Sequence, residues 1–393
     1  MSAWRRWWPL LAMLALAFNL RPVAVSIGPV LTEISSDIGL TGASAGLLTS
    51  LPTICFALFG AVAPAIARRI GTHQAIAVAI AVLIAGQAGR LLVQTAPSFL
   101  AFSTLALSGM ALANVLLPSL VREHYPNRVG TVTALYSLTM TIGVTLASTV
   151  TVPLAQALGG WRAGLTAGVI AATVALAFWL PLARLARRRR RGSVQRVTLG
   201  QIARTPLGWA MAIFFGCQSA HAYTVFGWLP SVYRDAGLDR VEAGFMLGIA
   251  TGVGLIPAFA IPAFVARVRN PAPLFLSIIA CLIAGYVGLL AAPASTPWLW
   301  AILMALGTAS FPLLLALFGL RARTPAATAA LSGFAQSVGY IIATVGPLTF
   351  GILHTMFGSW APSIYVQLGL IVPMLIAGLY SCLPREIEDQ LTS

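Results

Sequence analysis

The chain contains no lysine: all 24 of its basic residues are arginine, set against nine acidic residues. Charge of either sign is scarce, at 8% of 393 residues, where a soluble domain carries about 25%. That excludes an ordinary water-soluble domain. The four cysteines, Cys55, Cys217, Cys281 and Cys382, all lie in apolar runs, and none forms a CxxC or pairs with a nearby histidine. They read as small packing residues, and neither a disulfide framework, a metal site nor a cofactor is expected. No carboxylate interrupts an apolar run: Glu33, Asp37, Glu123, Asp235, Asp239, Glu242, Glu386, Glu388 and Asp389 lie in connections or at run ends. A buried titrating carboxylate, the usual device of cation coupling, is therefore missing. So is any nucleophile, acid–base or metal cluster that would suggest an enzyme.

Apolar sequence is abundant. Hydrophobic residues make up 59% of the chain and mean hydropathy is +0.89. Twelve runs approach the roughly 20 residues a helix needs to cross a bilayer: 8–31, 44–66, 74–94, 98–120, 130–153, 161–182, 207–230, 242–265, 272–292, 297–319, 328–352 and 359–382. The stretch before the first is too short for a signal peptide, so that run is expected to stay. A net charge of +15 would suggest nucleic acid in a soluble protein. Here the arginines fall in alternate loops: 19 on the side of the termini, four on the other, and Arg21 between. The positive-inside rule then predicts cytoplasmic termini in a bacterial inner membrane. The longest connection runs from Arg184 to Thr205 and holds five consecutive arginines, 187–191. It reads as a solvated tether that touches anionic headgroups, dividing the chain into 1–183, 184–205 and 206–393.

The two sides of the tether resemble each other. Pro29 to Gly46, followed by Ala63-Pro64-Ala65-Ile66-Ala67-Arg68, is echoed by Pro230 to Gly244 and Pro262-Ala263-Phe264-Val265-Ala266-Arg267. The segment ending in Trp161 is echoed by the one ending in Trp360. An offset of 198 to 199 residues, with six spans between like positions, is a parallel repeat. Two such halves about an axis along the membrane normal are the plan of major facilitator transporters.

The first run holds Phe18-Asn19-Leu20-Arg21-Pro22. An arginine facing lipid at a span centre costs roughly 2.5–3.5 kcal/mol on insertion scales, and proline breaks the helix beside it. A bent helix bearing a cation with no acidic neighbour predicts an anion site; the alternative is a structural arginine satisfied by carbonyls or Asn19. His221, the one histidine well inside a run, is a proton-coupling candidate or a hydrogen-bonded structural residue. Asn19, Asn114, Tyr136, Gln218, Tyr223, Phe311, Gln336 and Tyr340 supply the few polar groups and aromatic walls of a small-ligand pocket. Each has an alternative reading as interhelical glue. Gln87, Arg90 and Gln94 share one face of the third run and read as packing or entry-path charge. Pro22, Pro52, Pro118, Pro230, Pro257, Pro312 and Pro347 are expected to bend their spans.

Asn19-Leu20-Arg21-Pro22, Asn114-Val115-Leu116-Leu117-Pro118, Trp228-Leu229-Pro230 and Gly333-Phe334-Ala335-Gln336-Ser337-Val338-Gly339-Tyr340 with Gly346-Pro347 form an ordered set. Together they resemble the cyanate and nitroimidazole transporter family (CynX/NimT) of the major facilitator superfamily. The resemblance implies an all-α polytopic membrane protein of major facilitator fold: 12 transmembrane helices in two pseudo-two-fold-related six-helix bundles. It implies alternating-access transport of a small anion or small heteroaromatic compound. An exporter of neutral toxic compounds is the rival reading, and an anion channel a weaker one. We expect a monomer with no nucleic-acid partner. One departure stands out. The loop after the second span reads Pro64-Ala65-Ile66-Ala67-Arg68-Arg69-Ile70-Gly71-Thr72, with arginine where major facilitator proteins often carry a latching aspartate. Arg68 and Arg69 are left to reach Glu123 or a helix C-terminus.

Overall fold

Backbone that crosses a bilayer must close its hydrogen bonds within itself, and a helix does so. The computed structural model describes residues 3–185, 198–265, 267–268 and 270–391, and these contain helices and no strand. The arginines at 187–191 lie outside the described residues. The first half comprises α1 (Ala3–Asn19, resuming as Pro22–Val25), α2 (Gly42–Ile70), α3 (Thr72–Leu92), α4 (Ala96–His124), α5 (Val129–Ala157) and α6 (Trp161–Leu185). The second comprises α7 (Pro206–Asp235), α8 (Arg240–Val253 and Leu255–Val265), α9 (Ala272–Ala291), α10 (Pro297–Gly307 and Ser310–Leu320), α11 (Pro325–Ala343 and Val345–Phe357) and α12 (Ala361–Cys382). Eleven of these are apolar and long enough to span a bilayer. The twelfth is α7, 30 residues long, whose Gln218, Ser219, His221 and Thr224 dilute its hydropathy; they are tolerated because most of α7 is buried inside the protein.

Four of the seven prolines interrupt their helices. The breaks at Leu20–Arg21, Gly254, Thr308–Ala309 and Thr344 lie within a turn before Pro22, Pro257, Pro312 and Pro347. That is where a missing N–H and a ring clash with the carbonyl four residues back take effect. Pro52, Pro118 and Pro230 leave α2, α4 and α7 continuous.

The repeat extends to atomic contacts. Trp161 donates to Asp37 (Nε1 to Oδ2, 3.1 Å) and Trp360 to Asp235 (2.9 Å). Close helix approach uses the same glycines twice. A Cβ on Gly86 or Gly109 of α3 and α4 would strike Ala106 or Leu83; on Gly285 or Gly307 of α9 and α10 it would strike Met304 or Leu282. Gly39 follows a short helix (Leu31–Ile38) after α1 and Gly237 follows α7, with φ of 70° and 100°, a left-handed geometry that costs glycine nothing.

The halves meet through the same kind of contact. Gly46 of α2 faces the Leu348 carbonyl of α11 and Gly244 of α8 faces the Ser148 carbonyl of α5. Between them Thr53 and Thr344 pair at 3.0 Å, and Thr251 bonds Thr145 and Ser148. Twelve crossings return the chain to the end where it began. At the opposite, far end, Glu33 Oε1 accepts from Arg234 Nη1 and Arg240 Nε of the other half, each at 2.6 Å. At the terminal end, buried Arg321 donates to the Ser381 and Cys382 carbonyls that close α12 (2.9 and 2.8 Å). Arg323 pairs with Glu386 and Asp389. Arg68 and Arg69 stand exposed in the last turn of α2, at that helix's own C-terminus, where the dipole favours them.

Candidate substrate site

Arg21 sits in the break of α1, where its backbone (φ −122°, ψ −31°) caps the short helix begun by Pro22. The side chain is half-buried. Its guanidinium carbon lies 5.2 Å from the ring centroid of Phe311, on the second segment of α10. This cation–π contact joins the two halves and is worth about 0.5–2 kcal/mol, depending on desolvation. Among the described residues the Arg21 side chain makes no hydrogen bond and no ion pair. The hydroxyls of Tyr223 on α7 and Tyr340 on α11 lie within its electrostatic reach. Neither hydroxyl is engaged in a hydrogen bond among the described residues. Aromatic rings extend the group. Phe311 lies 6.2 Å from Phe215, Phe215 lies 4.9 Å edge-on from Tyr340, and Tyr340 stacks on Phe56 at 4.7 Å. Five helices, α1, α2, α7, α10 and α11, thus bring one cation, two phenols and three phenyl rings together between the halves.

The other expected residues are placed differently. Asn19 is buried and donates to the Ala15 and Ala171 carbonyls (2.9 and 3.2 Å), tying α1 to α6. Asn114 is half-buried, and its amide has no partner among the described residues. Tyr136 is half-buried against the apolar cluster of the first half. Gln336 donates to Ser332 Oγ one turn back (2.7 Å), and buried Gln218 accepts from Ser219 Oγ (3.2 Å).

His221 belongs to a buried network in the second half, in which His221 Nε2 and Gln367 Oε1 have no hydrogen-bond partner among the described residues. Its Nδ1 shares a hydrogen bond with the Tyr286 hydroxyl at 3.0 Å, and its ring also faces Gln367. Gln367 Nε2 donates to Thr224 Oγ1 (3.1 Å) and the Gly346 carbonyl (3.3 Å), beside the α11 break. All four side chains are buried. His354 stacks on Trp360 at 3.6 Å, and His73 and His124 bond each other at 2.8 Å.

Sequence reasoning missed Phe56 and Phe215, which look like any apolar residues of α2 and α7. It also missed Tyr286 and Gln367, whose partners lie far along the chain. The available signal was register: Phe215 precedes Tyr223 by just over two turns, so both share a face.

A membrane-spanning pair of six-helix bundles that encloses polar and aromatic groups at the seam is the architecture of a secondary transporter. The family model of the Major Facilitator Superfamily matches residues 8–347. The 2-nitroimidazole transporter of Escherichia coli (strain K12) is 34% identical over 96% of this chain and 95% of its own length. The cyanate transport protein CynX of the same organism is 26% identical over 92% and 95%. The inward-open xylose transporter XylE of E. coli superposes with a TM-score of 0.74 at 16% identity, covering 98% of each chain. The chain belongs to the major facilitator superfamily, in the group of the nitroimidazole and cyanate transporters.

Proposed function

We propose that this transporter carries a small organic or inorganic anion, or a small heteroaromatic compound, bound at Arg21. One observation carries the reading: a half-buried guanidinium between the halves that has a ring beneath it and no counter-ion among the described residues. An uncompensated buried charge is costly, and an anionic or strongly dipolar ligand would relieve it. Phe311, Phe215 and Phe56 suit a planar ligand, and the hydroxyls of Tyr223 and Tyr340 and the amide of Asn114 are donors still unspent. Two relatives whose names specify cyanate and 2-nitroimidazole support both chemistries.

Transport proceeds by rocking of the halves. The contacts at Gly46, Gly244 and Glu33 close the far end, and their exchange for contacts at the terminal end exposes the site to the other side. The 19-to-4 arginine asymmetry supports cytoplasmic termini in a bacterial inner membrane, and the arginine-rich tether meets anionic headgroups there.

The test is a thermal-shift screen of purified protein against cyanate, other small anions and nitroheterocycles, repeated with Arg21→Ala. A ligand at 100 times its Kd stabilises by about 2.7 kcal/mol. A shift in the native protein that vanishes in Arg21→Ala supports the site; equal shifts in both refute it.

A further inference from the structure

Arg90, near the far end of α3, is a second buried guanidinium, only 3% exposed. Its Nη1 donates to the Val23 carbonyl (3.1 Å), its Nε to Ser103 Oγ on α4 (2.8 Å), and its face lies over Phe99 at 5.9 Å. Nη2 has no partner, and no ion pair involves Arg90 among the described residues.

The Val23 carbonyl needs that donor because of the Arg21–Pro22 break. The amides of Ala24 and Val25 take the Arg21 carbonyl and that of Ser26 takes the Pro22 carbonyl; the next bond, from Ile27 to Val23, is not made. An orphan carbonyl away from water is costly. On its other side the break rests on α5. A Cβ on Gly143 would come within 2.3 Å of the Phe18 carbonyl and 3.1 Å of the Pro22 ring. Phe18 is the residue whose helical partner Pro22 removes. Arg21 is therefore held between Gly143 on one flank and Arg90 on the other.

A neutral donor would satisfy one carbonyl at far less desolvation cost than an arginine. What arginine adds is a rigid planar fork, which ties α3 to the Val23 carbonyl of α1 and to Ser103 of α4 at once, next to Arg21. We infer that Arg90 is a positioning residue for the substrate site: by holding the Val23 carbonyl it sets the direction in which Arg21 enters the space between the halves. This rests on Arg21 facing substrate, as proposed above.

The experiment compares Arg90→Met, Arg90→Lys and Arg21→Ala in purified protein, with cyanate and 2-nitroimidazole as probes. Arg90→Met is expected to weaken binding of at least one probe tenfold or more among folded molecules. Arg90→Lys, which keeps one donor to Val23, is expected to stay within about threefold of native. A second readout needs no ligand. Arg21→Cys, with the four native cysteines replaced by alanine, is alkylated with and without Arg90→Met, and the rate is expected to change severalfold. Native affinity and native alkylation in Arg90→Met would overturn the inference. So would a lowered melting temperature with affinity and alkylation rate unchanged, which marks a purely structural pin. If Arg21→Ala binds both probes normally, the site reading falls instead, and alkylation still decides whether Arg90 orients position 21. If Arg90→Met does not fold, Ser103→Ala, which removes the acceptor of Arg90 Nε, carries both measurements: weakened affinity with a severalfold change in position-21 alkylation supports the inference, and native values of both refute it.

Discussion

Glu33→Gln is expected to open the far end of the transporter. Glu33 Oε1 is shared by Arg234 and Arg240 across the seam, each at 2.6 Å. The side chains of Glu33 and Arg234 are 15% and 20% exposed and that of Arg240 is 48% exposed. The more exposed pair contributes about 0.2–1 kcal/mol. The more enclosed one approaches the 1.5–3 kcal/mol of a hydrogen bond to a charged group. Glutamine keeps one acceptor and loses the charge, so a shift of about 1–3 kcal/mol toward the far-open state is expected, a factor of about 5 to 150. Mutual repulsion between the two released arginines acts in the same direction. The assay places a single cysteine at Ser50, which is fully buried where α2 meets the Thr344 carbonyl, in a chain whose native cysteines are replaced. Labelling by a membrane-impermeant maleimide from the far side is then followed with and without Glu33→Gln. An unchanged rate in normally inserted protein would refute the assignment of these pairs as the closure.

Gly46→Ile should be arrested in the far-open state, because even its Cβ would lie 2.7 Å from the Leu348 carbonyl; transport should fall at least tenfold with insertion intact, and wild-type flux would refute the close approach. Arg321→Met strips the donors from the Ser381 and Cys382 carbonyls and should cost about 2–6 kcal/mol, from 1–3 for each of the two unsatisfied buried groups, seen as a melting point lowered by several degrees. Burial holds His124 below its usual value of 6.5, with Glu123 opposing. As pH falls below 6.5 the unfolded chain therefore takes up the proton first, and stability should decline until the folded pKa is passed. Melting between pH 7.5 and 5 should show this decline, and His124→Asn should flatten it; an equal slope in the variant would assign it elsewhere.

What could be read in the sequence was whatever depends on spacing or on neighbours along the chain. The offset between Asp37 and Asp235, and between Trp161 and Trp360, reappears as two equivalent hydrogen bonds, because a repeated sequence packs its parts the same way twice. The break at Arg21 was legible because proline acts on its own helix, whichever neighbours it has. Pro118 and Pro230 show the boundary of that rule: both lie in helices that stay continuous, so whether a proline breaks a span depends on surroundings that the chain order does not state. The polar residues were harder for the same reason. Arg21 and Arg90 are the same side chain within apolar runs, yet one stands over a ring between the halves and the other is bonded to a carbonyl 67 residues away. Asn19 spends its amide on a carbonyl 152 residues distant, and His221 engages Nδ1 with a hydroxyl 65 residues distant while its buried Nε2 keeps no partner among the described residues. A polar residue in a membrane span becomes a site residue only if folding leaves its donors unspent. That remainder is fixed by long-range packing, so Arg21 stands out only once Tyr223, Phe311 and Tyr340 are seen around it.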